Sequence, residues 1–348
     1  MILDAIIVGQ GLAGTALAWE LLRRDAHILV VDREAGDGAS RVAAGLVTPV
    51  TGRALSSPPD FLRDRAVAAA HYRTVEQQTR SKIWHERGAL RLFKTSADVA
   101  RWSKRESALG ALLATAQRPP DAGFAPMAHA ALMPDAARLD VAHYLDVSRT
   151  AFVERGCYER GNVDTQALRI DDDGVAVAGV ARRARFVVLC GGSKDANSAW
   201  LPARALSPAK GEIITAQVDD FHETRTTHCG GHWLLPTQRP GTYQFGATYD
   251  HDDATANTTP AARELLGRHL GQIVQRRFEI VGQQAGLRPV GARRRPIVGA
   301  HPVHRRVVVF NGLGSRGVLW APGIARDLAS RLHGGIDDVG PLSLDMHG

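Results

Sequence analysis

Cysteine is scarce in this chain of 348 residues, with only Cys157, Cys190 and Cys229. An odd, scattered set without a CxxC pair argues against a disulfide framework and against a thiolate zinc site. Cys190 stands in an apolar run and reads as a buried core thiol. Long hydrophobic runs are missing as well: none reaches the ~20 residues that a membrane span requires. Met1 to Asp4 carries no basic cluster, so the apolar run that follows reads as a first strand rather than a signal peptide, and a cytoplasmic location is the expectation. Lysine is rare, so the formal charge of +7 rests mainly on arginine. The basic residues are dispersed apart from Arg293-Arg294-Arg295, and without basic tracts a nucleic-acid partner is not expected. His228, His232 and His251 cluster in sequence, but strand alternation and the glycines between them give no dependable convergence on a metal. Internal repeats and low-complexity linkers are also lacking. The length suffices for one large or two interleaved domains.

What is present begins at Leu3. An apolar run of strand character ends in Gly9-Gln10-Gly11-Leu12-Ala13-Gly14, a GxGxxG turn. A helical segment, Thr15 to Arg24, follows at once, and a second apolar run from His27 to Val31 stops at Asp32 and Arg33. This is the βαβ unit that wraps a dinucleotide. Gly9 permits the tight turn, Gly11 lets the backbone approach a pyrophosphate, and Gly14 lets the helix pack close to the strand. The helix N-terminus then meets the phosphates, and Asp32 is placed to accept hydrogen bonds from a ribose. At this point the motif admits NAD as well as FAD.

The stretch from Gly36 to Arg53, including Ser40-Arg41-Val42-Ala43-Ala44-Gly45-Leu46, is dense in glycine, alanine and proline. Such backbone runs close to something flat or bulky and suits a large ring system. Helices are expected over Asp60 to Arg80, Ser96 to Leu113, Asp140 to Arg155, Pro260 to Arg276 and Ala325 to Leu332. Strands are expected at Leu90 to Phe93, Val163, Ala167 to Ile170, Val175 to Val180 and Arg185 to Gly192. Further strands are expected at Glu212 to Val218, Trp233 to Leu235, Thr242 to Ala247 and Val307 to Phe310. Dinucleotide elements thus appear at both ends and in the middle, with β-rich inserts between them. The expected architecture is α/β with an α+β insert. A discontinuous Rossmann-like cofactor domain (1–80, 140–205 and 285–348) would enclose a β-rich substrate domain (81–139 and 206–284).

Taken in order, these motifs resemble the D-amino-acid oxidase superfamily of FAD-dependent oxidoreductases, especially its glycine oxidase and sarcosine oxidase-like branch. The resemblance spans nearly the whole chain. It rests on the GxGxxG unit ending in Asp32, Ser40 to Leu46, Cys190-Gly191-Gly192 and Lys210-Gly211-Glu212. Trp233-Leu234-Leu235-Pro236 with Gly246-Ala247-Thr248 continues it, and Gly286-Leu287-Arg288-Pro289 with Pro296-Ile297-Val298-Gly299 follows. Gly312-Leu313-Gly314-Ser315-Arg316-Gly317 closes the set.

The resemblance implies FAD, held without a covalent link, since no cysteine follows Cys229. It places Val163 against the adenine, and Gly312, Gly314, Ser315, Arg316, Gly317 and Val318 against the flavin ring. It implies oxidation of the C–N bond of a small carboxylated amine or amino acid, with the imine hydrolysed and oxygen reduced to hydrogen peroxide. Arg288 matches the arginine that holds the substrate carboxylate, a task suited to a guanidinium fork. Trp233 falls where several members carry a substrate-facing tyrosine, and Arg316 is a candidate second anion contact. Two variants of this activity stand beside it. Gly314-Ser315-Arg316-Gly317 also resembles the oxidase half of the bifunctional enzyme that modifies the tRNA wobble uridine. A dehydrogenase passing electrons to an acceptor other than oxygen would show the same motifs. A flavin-binding protein without turnover is a further alternative, and no catalytic base stands out.

Overall fold

The apolar run Ala5 to Val8 within Leu3–Val8, nearly continuous rather than alternating, is what a central parallel strand covered on both faces requires. In the computed structural model, which describes residues 2–34, 36, 38–335, 339–340 and 342, this strand lies at the centre of a sheet. It pairs in parallel with Ile28–Asp32 on one side and Arg183–Leu189 on the other. Tyr158–Arg160 extends the sheet beyond Ile28–Asp32, and Val307–Asn311 runs parallel to Arg183–Leu189. The helix Leu12–Leu22 packs on this sheet, and the helix Gly317–Gly334 packs against that helix, its Gly317 so close that an added Cβ would lie 3.2 Å from Leu12 Cδ1. Ile7, Trp19, Phe186 and Phe310 belong to the large core they share.

A second sheet is antiparallel except at one joint. Its order begins Phe278–Gly291, Leu206–Val218, Thr242–Gly246, His232–Pro236 and Thr227–Cys229, and continues through Ala89–Phe93 and His129–Met133. Thr227–Cys229 and Ala89–Phe93 form the parallel joint. Among the described residues each of these two sheets has eight strands. The strand Phe278–Gly291 ties them together. Its Gly286 lies against the loop after Ile28–Asp32, where an added Cβ would stand 3.3 Å from Ala39 Cα. Three residues on, Pro289 O accepts a hydrogen bond of 2.8 Å from Gly314 N, and Val290 bridges to Leu313.

Several elements differ from the sequence reading. The single helix expected over Ser96 to Leu113 is three short pieces, Ser96–Ser103, Glu106–Leu109 and a 3₁₀ turn Gly110–Leu112. Trp102 stacks on Phe93 at 5.4 Å and on His129 at 4.7 Å, and Gly110 takes a left-handed φ of 48°. Tertiary packing of Trp102 and the glycine override the helical pattern. Val163 lies in a loop, not a strand. The helix expected to reach Arg276 stops at Gly271.

The last helix begins at Gly317, before the expected Ala325, because it tolerates Pro322 inside it. Proline there removes the N–H that would satisfy Val318 O. The buried Tyr72 hydroxyl donates to that carbonyl instead, at 2.9 Å. Phe278–Gly291 had no strand expectation at all. Asp37, within the small-residue loop, lies outside the described residues, as do Met1, Ala35, 336–338, 341 and 343–348.

Candidate active site

A cavity of about 990 Å³ opens between the two sheets. Two helix N-termini reach it: Gly11, Leu12 and Ala13 from the first helix, and Arg316, Gly317 and Val318 from the last. At neither end does the N-cap residue, Gly11 or Arg316, supply a side-chain cap, and neither helix carries an acidic residue in its first turn. First-turn amides without helical partners and the positive ends of two helix dipoles therefore face one space, which favours negative charge.

The glycine turn has the close approaches that the motif requires. Gly9 has φ 104°, and a Cβ there would lie 2.6 Å from Cys190 O. At Gly14 a Cβ would lie 1.9 Å from Gly9 O, so helix and strand meet without room for any side chain. Ser40 Oγ accepts from Leu12 N at 3.2 Å, joining the small-residue loop to the helix start. Gly45 has φ 73° and presses on Leu139 O. Asp32 accepts from Gln10 N and Glu34 N, each at 2.7 Å, which fixes its carboxylate at the end of the second strand.

Where the ends of Arg183–Leu189 and Val307–Asn311 lie side by side, Asp195 is buried. Its Oδ2 accepts from Gly191 N at 2.9 Å and from Asn311 Nδ2 at 2.7 Å. Burial pushes this carboxyl up to about 6, against the pull of those two hydrogen bonds.

Of the residues singled out from sequence for the cofactor, Gly9, Gly11, Leu12, Ala13, Asp32, Arg33, Ser40 and Arg41 line the cavity. So do Ala43, Ala44, Gly45, Leu46, Val163, Gly191, Gly192, Gly314, Ser315, Arg316, Gly317 and Val318. Gly14 and Gly312 do not. Gly14 acts by letting helix meet strand, and Gly312, at φ 73°, by turning the chain against Gly291 and Ile297. Arg41 is also tied to Asp146 at 2.8 Å.

The substrate-side residues come from the other sheet. Arg288 and Trp233 both line the cavity. Arg288 lies over Gly211, its Nη atoms 3.3 Å from the carbonyl oxygens of Thr248 and Lys210, and 5.3 Å above the Tyr249 ring. It has no carboxylate partner among the described residues, and burial lowers its pKa from the ordinary value while leaving it charged. Gly246, opposite Trp233 in the sheet, leaves the indole its space; a Cβ there would come within 3.2 Å of Trp233 Cζ2. Arg316 stands at the start of the last helix, 5.5 Å over the Trp320 ring, with its pKa lowered by burial.

The sequence reading did not assign Asp195, Gly211, Arg91 or His228 to this site, yet all line it. Arg91 had a signal: a charged residue between Leu90 and Leu92 in an apolar strand must face something other than oil. The three histidines do not converge. His228 and His232 both line the cavity, but His232 packs on His269 with rings 4.6 Å apart, and His251 packs on Tyr249 at 5.1 Å.

A cavity of this size, two uncapped helix starts, glycine-bare walls and a ribose-directed carboxylate fit a dinucleotide carrying a large ring. Comparisons with known proteins agree. The family model described as DAO, FAD dependent oxidoreductase, matches residues 4–331. The chain is 26% identical over 355 residues to a tRNA 5-methylaminomethyl-2-thiouridine biosynthesis bifunctional protein of Marinobacter nauticus, covering 94% of this chain and 55% of that protein. It thus spans about half the length of that relative. It is 23% identical to the glycine oxidase of Geobacillus kaustophilus over 384 residues, covering 99% of this chain and 97% of the relative. The crystal structure of glycine oxidase from that organism superposes with a TM-score of 0.79, covering 94% of this chain and 95% of that one. The iminodiacetate oxidase of a Chelativorans species gives 0.77 at 21% identity, covering 95% of each chain.

Proposed function

Because the chain belongs to the DAO family of FAD-dependent oxidoreductases, we propose that it oxidises the C–N bond of a small carboxylated amine or amino acid in the cavity between the two sheets. The observation that carries this reading is Arg288: a half-buried, charged guanidinium lining the cavity, whose hydrogen-bond partners among the described residues are carbonyls at 3.3 Å. Bonds of that length to neutral oxygens leave the fork available to a carboxylate, which forms shorter, charge-assisted bonds.

When bound, FAD supplies the acceptor for the hydride leaving the carbon next to nitrogen. The chain does the rest. Arg288 fixes the carboxylate, Trp233 provides a wall for the apolar part, and the two sheets shield the reacting carbon from water. Over the whole reaction, amine, water and oxygen become a carbonyl compound, the released amine and hydrogen peroxide. The acidic side chains lining the cavity among the described residues are Asp32, Glu34 and Asp195, all on segments at the carboxyl ends of the parallel strands, so the substrate nitrogen arrives already neutral rather than being deprotonated by a carboxylate. The reading extends to FAD held without a covalent bond and a cytoplasmic location. It also takes 1–80, 140–205 and 285–348 as the cofactor domain, with 81–139 and 206–284 as the substrate domain.

The test is anaerobic mixing with glycine, sarcosine, D-amino acids, proline and iminodiacetate, followed by admission of oxygen or a dye. Bleaching of the flavin absorbance by at least one carboxylated amine is expected, with peroxide formed on reoxidation. Bleaching without peroxide but with rapid dye reduction would make the protein a dehydrogenase. No bleaching by any amine would remove the proposal.

A second reading has its own support. A relative is named for tRNA 5-methylaminomethyl-2-thiouridine biosynthesis, and the exposed Arg294 lines the cavity beside Arg293 and Arg295. On that reading the amine is part of a tRNA, and binding falls steeply with salt. Absence of tRNA binding at low salt eliminates it.

A further inference from the structure

One charged group on the cavity wall has no task in the reaction above. Arg91, in the Ala89–Phe93 strand, is 4% exposed. Its Nη2 donates to the carbonyls of Gly52 at 2.7 Å and Gly230 at 3.2 Å, and its buried Nε has no partner. Among the described residues no carboxylate pairs with it. Asp98, whose charge it senses, is bonded to Thr95 and Arg101, and the nearby Cys229 is a buried thiol pushed toward its neutral form by desolvation. Next to it across the strand joint, His228 is 7% exposed and its buried Nε2 also lacks a partner. Burial, with Arg91 adding to it, pulls this histidine down to about 3, so it is neutral at any working pH and can offer an N–H without a charge. A buried cation and a buried donor left unsatisfied are costly unless something occupies them.

Register places this pair relative to the rest of the site. Ile213 stands opposite Gly246, Gly246 opposite Trp233, Trp233 opposite His228, and His228 opposite Arg91. Residues directly opposite in a sheet share a face. Ile213, Trp233, His228 and Arg91 therefore form one row across the sheet, and all four line the cavity. At about 4.8 Å per strand, Arg91 stands roughly 10 Å from Trp233 and on the order of 20 Å from Ile213 at the backbone. Arg288 lies at the opposite end, on Phe278–Gly291, over Gly211 of the strand that carries Ile213. The row reads, in order, as cation, apolar wall, neutral donor, cation.

We propose that Arg91 and His228 form a second anion subsite, so that the substrate is an elongated amino acid: an amine-bearing carboxylate at Arg288, an apolar middle along Trp233, and a terminal oxyanion at Arg91. This rests on the amine-oxidising reading of the cavity and narrows its substrate class. The glycine turn Gly9 to Gly14, which would hold the pyrophosphate of the cofactor, lies on the other sheet, so the anion proposed at Arg91 is not part of it. A head as buried as that of Arg91 suits the tip of a small ligand better than a phosphate of a polymer backbone.

The experiment compares a homologous series of α-amino acids ending in carboxylate or phosphonate with their methyl-terminated counterparts, in wild-type holoenzyme, Arg91→Met and Arg91→Lys. The wild type is expected to favour at least one oxyanion-terminated member over its methyl counterpart in kcat/KM. Arg91→Met is expected to reduce that preference at least ~10-fold, from loss of a charge-assisted bond, and Arg91→Lys to recover part of it. Binding of the corresponding amine-free acids, read as a shift in flavin absorbance, should show the same loss in Arg91→Met. That second readout separates the two ideas. Discrimination in binding with no amine oxidised would sink the proposed reaction and keep the subsite. Oxidation with no preference for a terminal oxyanion in the wild type, or an undiminished preference in Arg91→Met, would overturn the subsite. Loss of flavin from a folded Arg91→Met protein would also overturn it, by assigning Arg91 to the cofactor.

Discussion

The guanidinium of Arg288 rests directly on the backbone of Gly211, where an added Cβ would stand 1.9 Å from Nη2 and 2.2 Å from Cζ. The two residues lie on neighbouring strands, with Gly211 opposite Gly286 and Arg288 opposite Ala209. Glycine at 211 is therefore a condition for where the arginine head can lie. Gly211→Ala is expected to displace the head and raise KM for a carboxylated amine by at least ~10-fold, as a charge-assisted bond is lost, while flavin stays bound. Steady-state kinetics with a flavin-to-protein ratio checks this, and an unchanged KM would mean that the head has another resting place.

The cofactor end has a comparable contact. A methyl group at Gly14 would meet Gly9 O at 1.9 Å, backbone against backbone, with no flexible side chain to give way. Gly14→Ala is expected to cost about 1–3 kcal/mol from overpacking and to weaken flavin retention, because the helix start must move off the strand. Thermal unfolding and the flavin remaining after dialysis measure the two effects. The same substitution at Gly271, away from the cavity and with only an ordinary contact at 3.7 Å to Phe278 for an added Cβ, serves as the control.

Asp195 links the site to pH. Its carboxyl is raised from 3.8 to about 6 by burial, so between those values the folded protein holds a proton that the unfolded chain has released. The stabilisation is complete below about pH 4 and is lost as pH rises through 6, a change on the order of 2–3 kcal/mol. Asp195→Asn keeps an acceptor for Gly191 N and Asn311 Nδ2 without the charge. It is expected to flatten the fall in melting temperature between pH 4 and 7, at constant flavin occupancy, and to raise stability at pH 7. A slope identical to that of the wild type would place the titration elsewhere.

Much of the cofactor half was legible in the sequence because its signals are local. A tight turn, a close approach and a helix start each demand particular residues at fixed spacing, so Gly9, Gly11, Gly14 and Asp32 stood out, as did the small-residue loop to Leu46. Arg288 was found through the resemblance of its flanking residues, although the strand carrying it was not expected. Gly282, Gly286 and Gly291 hide the alternation of Phe278–Gly291, which exists as a strand through its long pairing with Leu206–Val218. The start of the last helix was missed for a similar reason. Pro322 reads locally as a barrier, and only the hydroxyl of Tyr72, 246 residues before Val318 in sequence, compensates for it. Arg91 and His228 meet across a joint between strands far apart in the chain, and no local pattern shows that Arg91 Nε and His228 Nε2 are both left without a partner.

The most direct measurement is anaerobic titration of the flavin absorbance with a bleaching carboxylated amine and with its counterpart lacking the carboxylate, in wild type and Arg288→Ala. For the wild type, the carboxylated amine should bleach the flavin at a concentration at least ~10-fold lower than its counterpart, and Arg288→Ala should erase that advantage while retaining flavin. Equal advantage in both proteins would contradict the placement of the substrate carboxylate at Arg288, and with it the orientation proposed for the whole cavity.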